Sequence, residues 1–275
     1  MRTARNYDAR SDRHPAADPR VWARAGLLCT LALALAATIG PSALGQTVRA
    51  GNLIITVDGG FTPKKLPRRE PAPITLRAKS TLRTVDGSHL PAARKLTLDF
   101  DKHTNIDTTG LPTCGIGQLQ NTLTAQAKKV CGKALVGTGR AGAEILFPEQ
   151  PPFFASGAML IFNGRPKGAQ PVLIFHVYAQ VPAPTTFVTT ADISKASGGT
   201  YGTRVVIKVP SIVAGQGSLS FAEMEIRKTW IHRGRQRNLL LATCPTGRFF
   251  VRGNLSFAGG TRMSGKVIRS CTPIG

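Results

Sequence analysis

The residues best suited to chemistry in this sequence are cations set beside an aromatic ring. Between Arg227 and Arg237 (RKTWIHRGRQR), the side chains of Arg227, Lys228, Arg233, Arg235 and Arg237 gather around a turn expected at Gly234, with Trp230 and His232 beside them. On a hairpin tip, such cations can hold phosphates or uronates while an exposed indole stacks on a base or sugar ring. A solvated hairpin whose Trp230 belongs to the core fits the same residues. Lys64, Lys65, Arg68 and Arg69 make a second basic patch, in a loop. After residue 45 the chain has one Trp and two Tyr (Tyr178 and Tyr201), few for a set of sugar-stacking platforms.

A second constellation is Asp99, Asp101 and His103, with Asn105 and Asp107 continuing the i, i+2 spacing along one face of an extended segment. Carboxylates and an imidazole so placed are candidate ligands for a divalent cation. The glycine of a calcium loop is absent, Thr104 standing in its place, and no glutamate closes the loop. A solvated strand end explains these residues equally well. No other cofactor is suggested: the sequence has no H-E-x-x-H, P-loop or dinucleotide fingerprint. His176 falls in the most apolar stretch, Val172 to Val181, where a hydrogen-bonded core histidine is the default. Ser197-Gly198-Gly199 and Ser211 lack the G-x-S-x-G elbow. Glu223 and Glu225, two residues apart on one strand face, are too local to flank a sugar bond, and Glu144 and Glu149 complete the candidate acids.

The elements that must position these groups begin after an export leader. Arg2, Arg5, Arg10, Arg13, Arg20 and Arg24 precede an apolar run from Ala25 to Ile39, followed by Gly40-Pro41 and the small-residue sequence Ala43-x-Gly45. This is the pattern of a signal peptide spanning 1–45, cleaved to leave Gln46 first. The run is shorter than the ~20 residues a membrane span needs, and the longest later apolar stretch, Val172 to Val181, is only ten residues, so no integral membrane segment is expected after cleavage; an uncleaved leader kept as an anchor is the alternative. Leu28 before Cys29 argues against a lipid anchor.

The whole chain has 36 Lys+Arg against 14 Asp+Glu, and the leader holds only six of the first and three of the second, so the mature part keeps a formal charge of +19. That excess on an exported protein favours polyanionic partners, such as an anionic cell-wall polymer or acidic polysaccharide, ahead of extracellular nucleic acid. Solubility alone is the plainer explanation. Four cysteines remain after the leader: Cys114, Cys131, Cys244 and Cys271. An even number in an exported chain predicts two disulfides, with three connectivities open and pairing in sequence order the simplest. No C-x-x-C spacing supports zinc.

Gly, Pro, Thr and Val punctuate the mature chain as a β protein. Ile74 to Val85 alternates apolar and cationic residues, and Lys95 to Phe100 continues with Leu96, Leu98 and Phe100 in phase. Further strands are expected near 134–146, 157–163, 171–180, 185–193, 203–209, 217–231, 237–243, 247–257 and 261–270. A phase flip near Ala222 predicts a β-bulge there or a strand that changes sheets. Leu119, Leu123, Ala127 and Val130 recur at helical spacing, predicting a short amphipathic helix over 118–131 that Gly132 ends. The reading is an all-β fold: a β-sandwich of roughly a dozen antiparallel strands with one short helix, in a single domain over 46–275 whose first part, 46–72, is a partly flexible lead-in.

Several blocks, namely Gly110-Leu111-Pro112-x-Cys114, Ala127-x-x-x-Cys131-x-x-Ala134-x-Val136-Gly137-x-Gly139, Phe162-Asn163-Gly164, Gly199-x-Tyr201-Gly202, Ala242-x-Cys244-Pro245-x-Gly247 and Cys271-x-Pro273, extend over most of the mature chain. In these the sequence resembles an uncharacterised family of exported, disulfide-containing actinobacterial β proteins. The resemblance supports the fold and the cysteines and brings no activity with it. The expected function is therefore that of a secreted or cell-wall-associated, non-enzymatic protein that binds anionic polymers, with a secreted hydrolase using a noncontiguous His/carboxylate site as the alternative.

Overall fold

The structure is a computed structural model that describes residues 45–181 and 183–275. The leader, apart from Gly45, lies outside the described residues. In chain order the strands are β1 (Gln46–Ala50), β2 (Leu53–Thr62), β3 (Lys65–Pro67), β4 (Ala72–Pro73), β5 (Thr75–Thr84), β6 (Ala93–Asp101), β7 (Thr104–Ile106), β8 (Leu135–Ile145), β9 (Phe153–Asn163), β10 (Val172–Ala179), β11 (Thr185–Lys195), β12 (Tyr201–Lys208), β13 (Gly217–Ile226), β14 (Thr229–His232), β15 (Arg235–Asn238), β16 (Leu240–Ala242), β17 (Arg248–Phe257), β18 (Arg262–Ser270) and β19 (Thr272–Ile274); one helix, α1 (Thr124–Cys131), lies between β7 and β8.

Twelve of these strands form one antiparallel sheet in the order β1-β2-β5-β13-β8-β9-β10-β11-β12-β6-β17-β18. The expected all-β, antiparallel architecture with one short helix is present, and its two layers are opposite halves of one continuous sheet. That sheet curls until its first and last strands lie side by side, nearly closing a barrel. Strand parity explains the curl. In β5, Leu76, Ala78, Ser80 and Leu82 line the interior, and the alternate positions Arg77, Lys79 and Arg83 point to solvent. Residues 46–72, expected as a partly flexible lead-in, contribute β1 and β2 to the sheet and pair β3 with β19.

The bulge predicted near Ala222 falls between Leu219 and Phe221 in the β13–β8 pairing. The extra residue lets Leu219 on one side and Ala222, Met224 and Ile226 on the other all face the interior, in spite of opposite sequence parity. The strand expected over 217–231 stops at Ile226, and the chain starts a separate hairpin at Thr229.

The helix is shorter than its apolar spacing suggested. Asn121 adopts a left-handed φ of 57°, which interrupts the segment, so a single 3-10 turn at Ile116–Gln118 precedes α1. Gly132 keeps a right-handed conformation and continues into a second 3-10 turn. Helix α1 covers the outer face of β9 and β10, burying Ala127 and Cys131 with Leu160, Phe162 and Ile174. Both faces of β10 are therefore covered, which is why Val172 to Val177 reads as an unbroken apolar run around His176. Cys114–Cys131 pins this helix and Cys244–Cys271 joins the connection between β16 and β17 to the residue after β18, so the cysteines pair in sequence order. Asn163, far away in sequence, meets the Leu111-Pro112 segment: its Nδ2 donates to the carbonyls of Leu111 and Pro112 at 3.2 and 3.1 Å.

Candidate functional site: an apolar lumen

An eight-stranded barrel is about filled by its own side chains, and wider ones leave internal space. Here twelve strands surround a cavity of about 460 Å³. Small residues on the inner face, including Ala78, Ala143, Ala155, Gly157 and Gly253, keep it open, while Leu98, Phe175, Val177, Phe187, Val205 and Val251 make its wall apolar. No histidine lines the cavity among the described residues.

One end is capped. The three-stranded sheet β4-β16-β7 lies over it, with Leu111 and Leu239 buried against Val136, Ile161 and Ile226. At the other end the lining runs on to Ile212, Val213 and Val181, on the connections after β12 and β10. Val181 is 55% exposed, so the apolar lining reaches the surface there. Val213 and Ala214 both take positive φ, 47° and 53°, a costly conformation for a β-branched residue.

The basic hairpin β14–β15 belongs to the cap. Trp230 is half-buried against the core, and its Nε1 donates to the Thr109 carbonyl at 3.0 Å. This indole is a structural clamp rather than an exposed stacking platform. Gly110, at φ 70°, leaves the space that the His232 ring occupies; a Cβ there would overlap the imidazole. Arg237 Nη1 donates to Asp107 at 2.8 Å, while Arg227 lies 3.4 Å from Glu225. Burial works to raise the Asp107 pKa, but hydrogen bonds from Thr109 and Arg237 outweigh it and hold the carboxyl below its ordinary value. Arg233 and Arg235 are exposed at the turn and Lys228 is half-buried. The six residues are thus near one another, but they do not converge on a pocket.

The metal candidates have other partners. Asp99 is fully buried on the outer face, where Arg204 Nε donates to its Oδ1 at 2.6 Å and Arg252 Nη2 to its Oδ2 at 2.6 Å. The Arg204 hydrogen bond leads in lowering its pKa, against the opposing effect of burial. Asp101 accepts the backbone N–H groups of His103 and Phe250, and His103 lies beside Thr243. Among the described residues no three His, Cys, Asp or Glu side chains gather as a metal site.

One constellation was not legible in the sequence. Ser218 Oγ lies 3.3 Å from His89 Nε2, and His89 Nδ1 lies 2.9 Å from Glu144 Oε2. These are the residue types of a nucleophile, base and orienting acid. Ser218 is buried, however, and its hydroxyl donates to the Leu90 carbonyl at 2.5 Å. The His89–Glu144 contact is not aligned as a hydrogen bond.

No family model matches the chain, and no curated protein or solved structure is significantly similar to it.

The functional reading therefore rests on the site itself. The lumen was missed in the sequence because alternation records which face is apolar, not whether the facing side chains meet. A surplus of Ala and Gly at inward positions was the available signal. Outside, Arg77 pairs with Glu225 and Lys167 with Asp192, but most cations have no carboxylate partner among the described residues. Charged side chains outside and aliphatic ones inside are the reverse of a lipid-facing barrel. No described helix is long and apolar enough to cross a membrane, and two disulfides suit an oxidising compartment.

Proposed function

We propose that this is an exported, non-enzymatic binding protein that carries a hydrophobic molecule in its lumen, with its cationic exterior holding it at anionic polymers of the cell envelope. The apolar cavity of about 460 Å³, open to the surface near Val181, is the observation that carries the first part. A cavity in the range of ligand pockets, walled by aliphatic and aromatic side chains, is best filled by an apolar ligand. It binds by removing its own surface from water and by restoring the dispersion contacts that an empty cavity lacks. The charge of the mature sequence supports the second part. Membership of the exported actinobacterial family belongs to the same reading.

Titration with a neutral, environment-sensitive dye such as Nile red tests the lumen. Saturable binding of about one dye per chain, competed by long-chain lipids, is the expected result; binding that is absent or unsaturable sinks the carrier reading. Retention on isolated cell walls or a heparin-like resin tests the exterior. It is expected to fall steeply as salt rises, and salt-independent retention contradicts it.

A second reading, a secreted hydrolase, is favoured by Ser218, His89 and Glu144. It requires the Ser218 hydroxyl to leave the Leu90 carbonyl and reach solvent. Labelling of Ser218 by a fluorophosphonate, lost in His89→Ala, is the expected mark of that activity. An unlabelled Ser218 removes it.

A further inference from the structure

Beyond Gln46, the first residue of β1, the barrel wall is completed by a side chain. Arg269, at an inward position of β18, lines the cavity and reaches across to β2, donating from Nε to the Gly59 carbonyl at 2.5 Å. Its Nη1 donates to the Ile268 carbonyl at 3.0 Å. Its Nη2 is enclosed and has no hydrogen-bond partner among the described residues. An enclosed guanidinium N–H without an acceptor is costly, so an incoming acceptor is favoured at this atom.

A second cation stands beside it. Lys64 Nζ is 4.2 Å from the centroid of the Phe61 ring, itself part of the cavity wall. Gly60 lies between the two cations: a Cβ there would be 3.1 Å from Lys64 Nζ and 3.8 Å from Arg269 Cδ. Neither cation has a salt bridge among the described residues, and the nearby Asp58 accepts the Gly59 N–H with its Oδ1 at 2.6 Å. Lys64 itself is exposed; partial desolvation of its ammonium, and then the charge of Arg269, hold it below its ordinary pKa. Two like charges are thus held together at the margin of an apolar cavity.

We infer that the lumen takes an anionic amphiphile, its acidic head bound by Arg269 and Lys64 between β2 and β18 and its apolar chain extended into the cavity. This rests on the carrier reading above and assigns the chemistry of its ligand. A carboxylate or phosphate supplies the acceptor that Nη2 lacks and neutralises the pair, and charge-assisted hydrogen bonds to guanidinium are among the strongest available. The chain fills the space between Leu76, Leu98, Phe175 and Val251.

The test is displacement of Nile red by hexadecanoate, hexadecyl phosphate and hexadecanol, which share one chain and differ in the head. The acids are expected to bind about 10-fold tighter than the alcohol or better, and Arg269→Met to remove that preference while hexadecanol binding is kept. The stronger of the two acids distinguishes a carboxylate ligand from a phosphate one. Because Arg269 also closes the wall, Lys64→Met at an exposed position is the companion variant, expected to weaken both acids and leave the alcohol unchanged. Equal binding of acid and alcohol, or an acid preference unaltered in both variants, overturns the headgroup site and leaves the apolar lumen standing. Failure of dye and all three amphiphiles to bind overturns the carrier reading as well.

Discussion

Gly265 of β18 packs directly against Val48 of β1, so closely that a Cβ on the glycine would stand 2.7 Å from Val48 Cγ2. This is the seam of the barrel, where the first and last strands of the sheet adjoin without a backbone ladder. Side chains do here what hydrogen bonds do at every other junction. A β-branched methyl cannot swing aside, so the absence of a side chain at position 265 permits the approach.

Gly265→Val is therefore expected to destabilise the protein by about 1–3 kcal/mol through overpacking. Val48→Ala in the same chain should return part of that loss. Urea midpoints of the two single variants and the double variant give the coupling. Additive effects would show that the seam is not formed in solution.

The lumen makes an opposite prediction for enlargement. Val177→Trp adds apolar volume where the cavity has room, so the fold is expected to survive with a Tm close to the parent's, while Nile red binding falls by about 10-fold or more. Arg83→Trp, on the outer face of β5, should leave dye binding unchanged. Loss of binding in both variants would place the dye on the surface.

Asp99 sits between Arg204 and Arg252 with no access to solvent, while the two guanidinium groups remain partly exposed. Asp99→Asn keeps the shape and removes the charge, at an expected cost of about 2–4 kcal/mol near neutral pH. The hydrogen bond from Arg204 lowers the folded pKa of this carboxyl. Its stabilising contribution is thus complete above the unfolded value of about 3.9 and is lost as pH falls through the folded value. The gap between parent and variant should narrow as pH falls below ~3.9, as followed by urea denaturation at a series of pH values.

His176 is buried beneath the Thr122 turn, its Nε2 lying 2.9 Å from the Thr122 carbonyl. Burial lowers its pKa in spite of that hydrogen bond. Below the unfolded value of about 6.5 the unfolded chain binds a proton that the folded chain refuses, so stability falls as pH drops from there. His176→Gln should flatten this part of the pH–stability curve. An unchanged slope between ~pH 7 and ~pH 5 would assign it to other groups.

If residues 1–45 are a cleaved export leader, as proposed, the mature protein begins at Gln46, the first residue of β1. Intact mass measurement on material from culture supernatant checks this. Retention of residues 1–45 would mean that the leader stays attached as an anchor.

By itself the sequence determined the class of element at most places. The alternation of Leu76, Ala78 and Leu82 with Arg77, Lys79 and Arg83 fixes a strand and its two faces, because side chains in a strand alternate with period two. The opposed phases of Leu219 and Met224 announced a bulge within a few residues of where it lies. Four cysteines after a leader implied two staples. Left-handed Asn121, by contrast, cut short a helix that the apolar spacing extended, since spacing carries no information about a single backbone torsion. Only the tertiary structure decided what the inward faces enclose. Whether facing apolar side chains touch or leave a cavity depends on the number of strands in the sheet and on its curl, which local patterning does not encode. The same applies to the charges. Asp99 met Arg204 and Arg252, Arg269 met Lys64, and Trp230 met Thr109 because strands far apart in sequence became neighbours, and only that proximity separates a buried clamp from an open binding face.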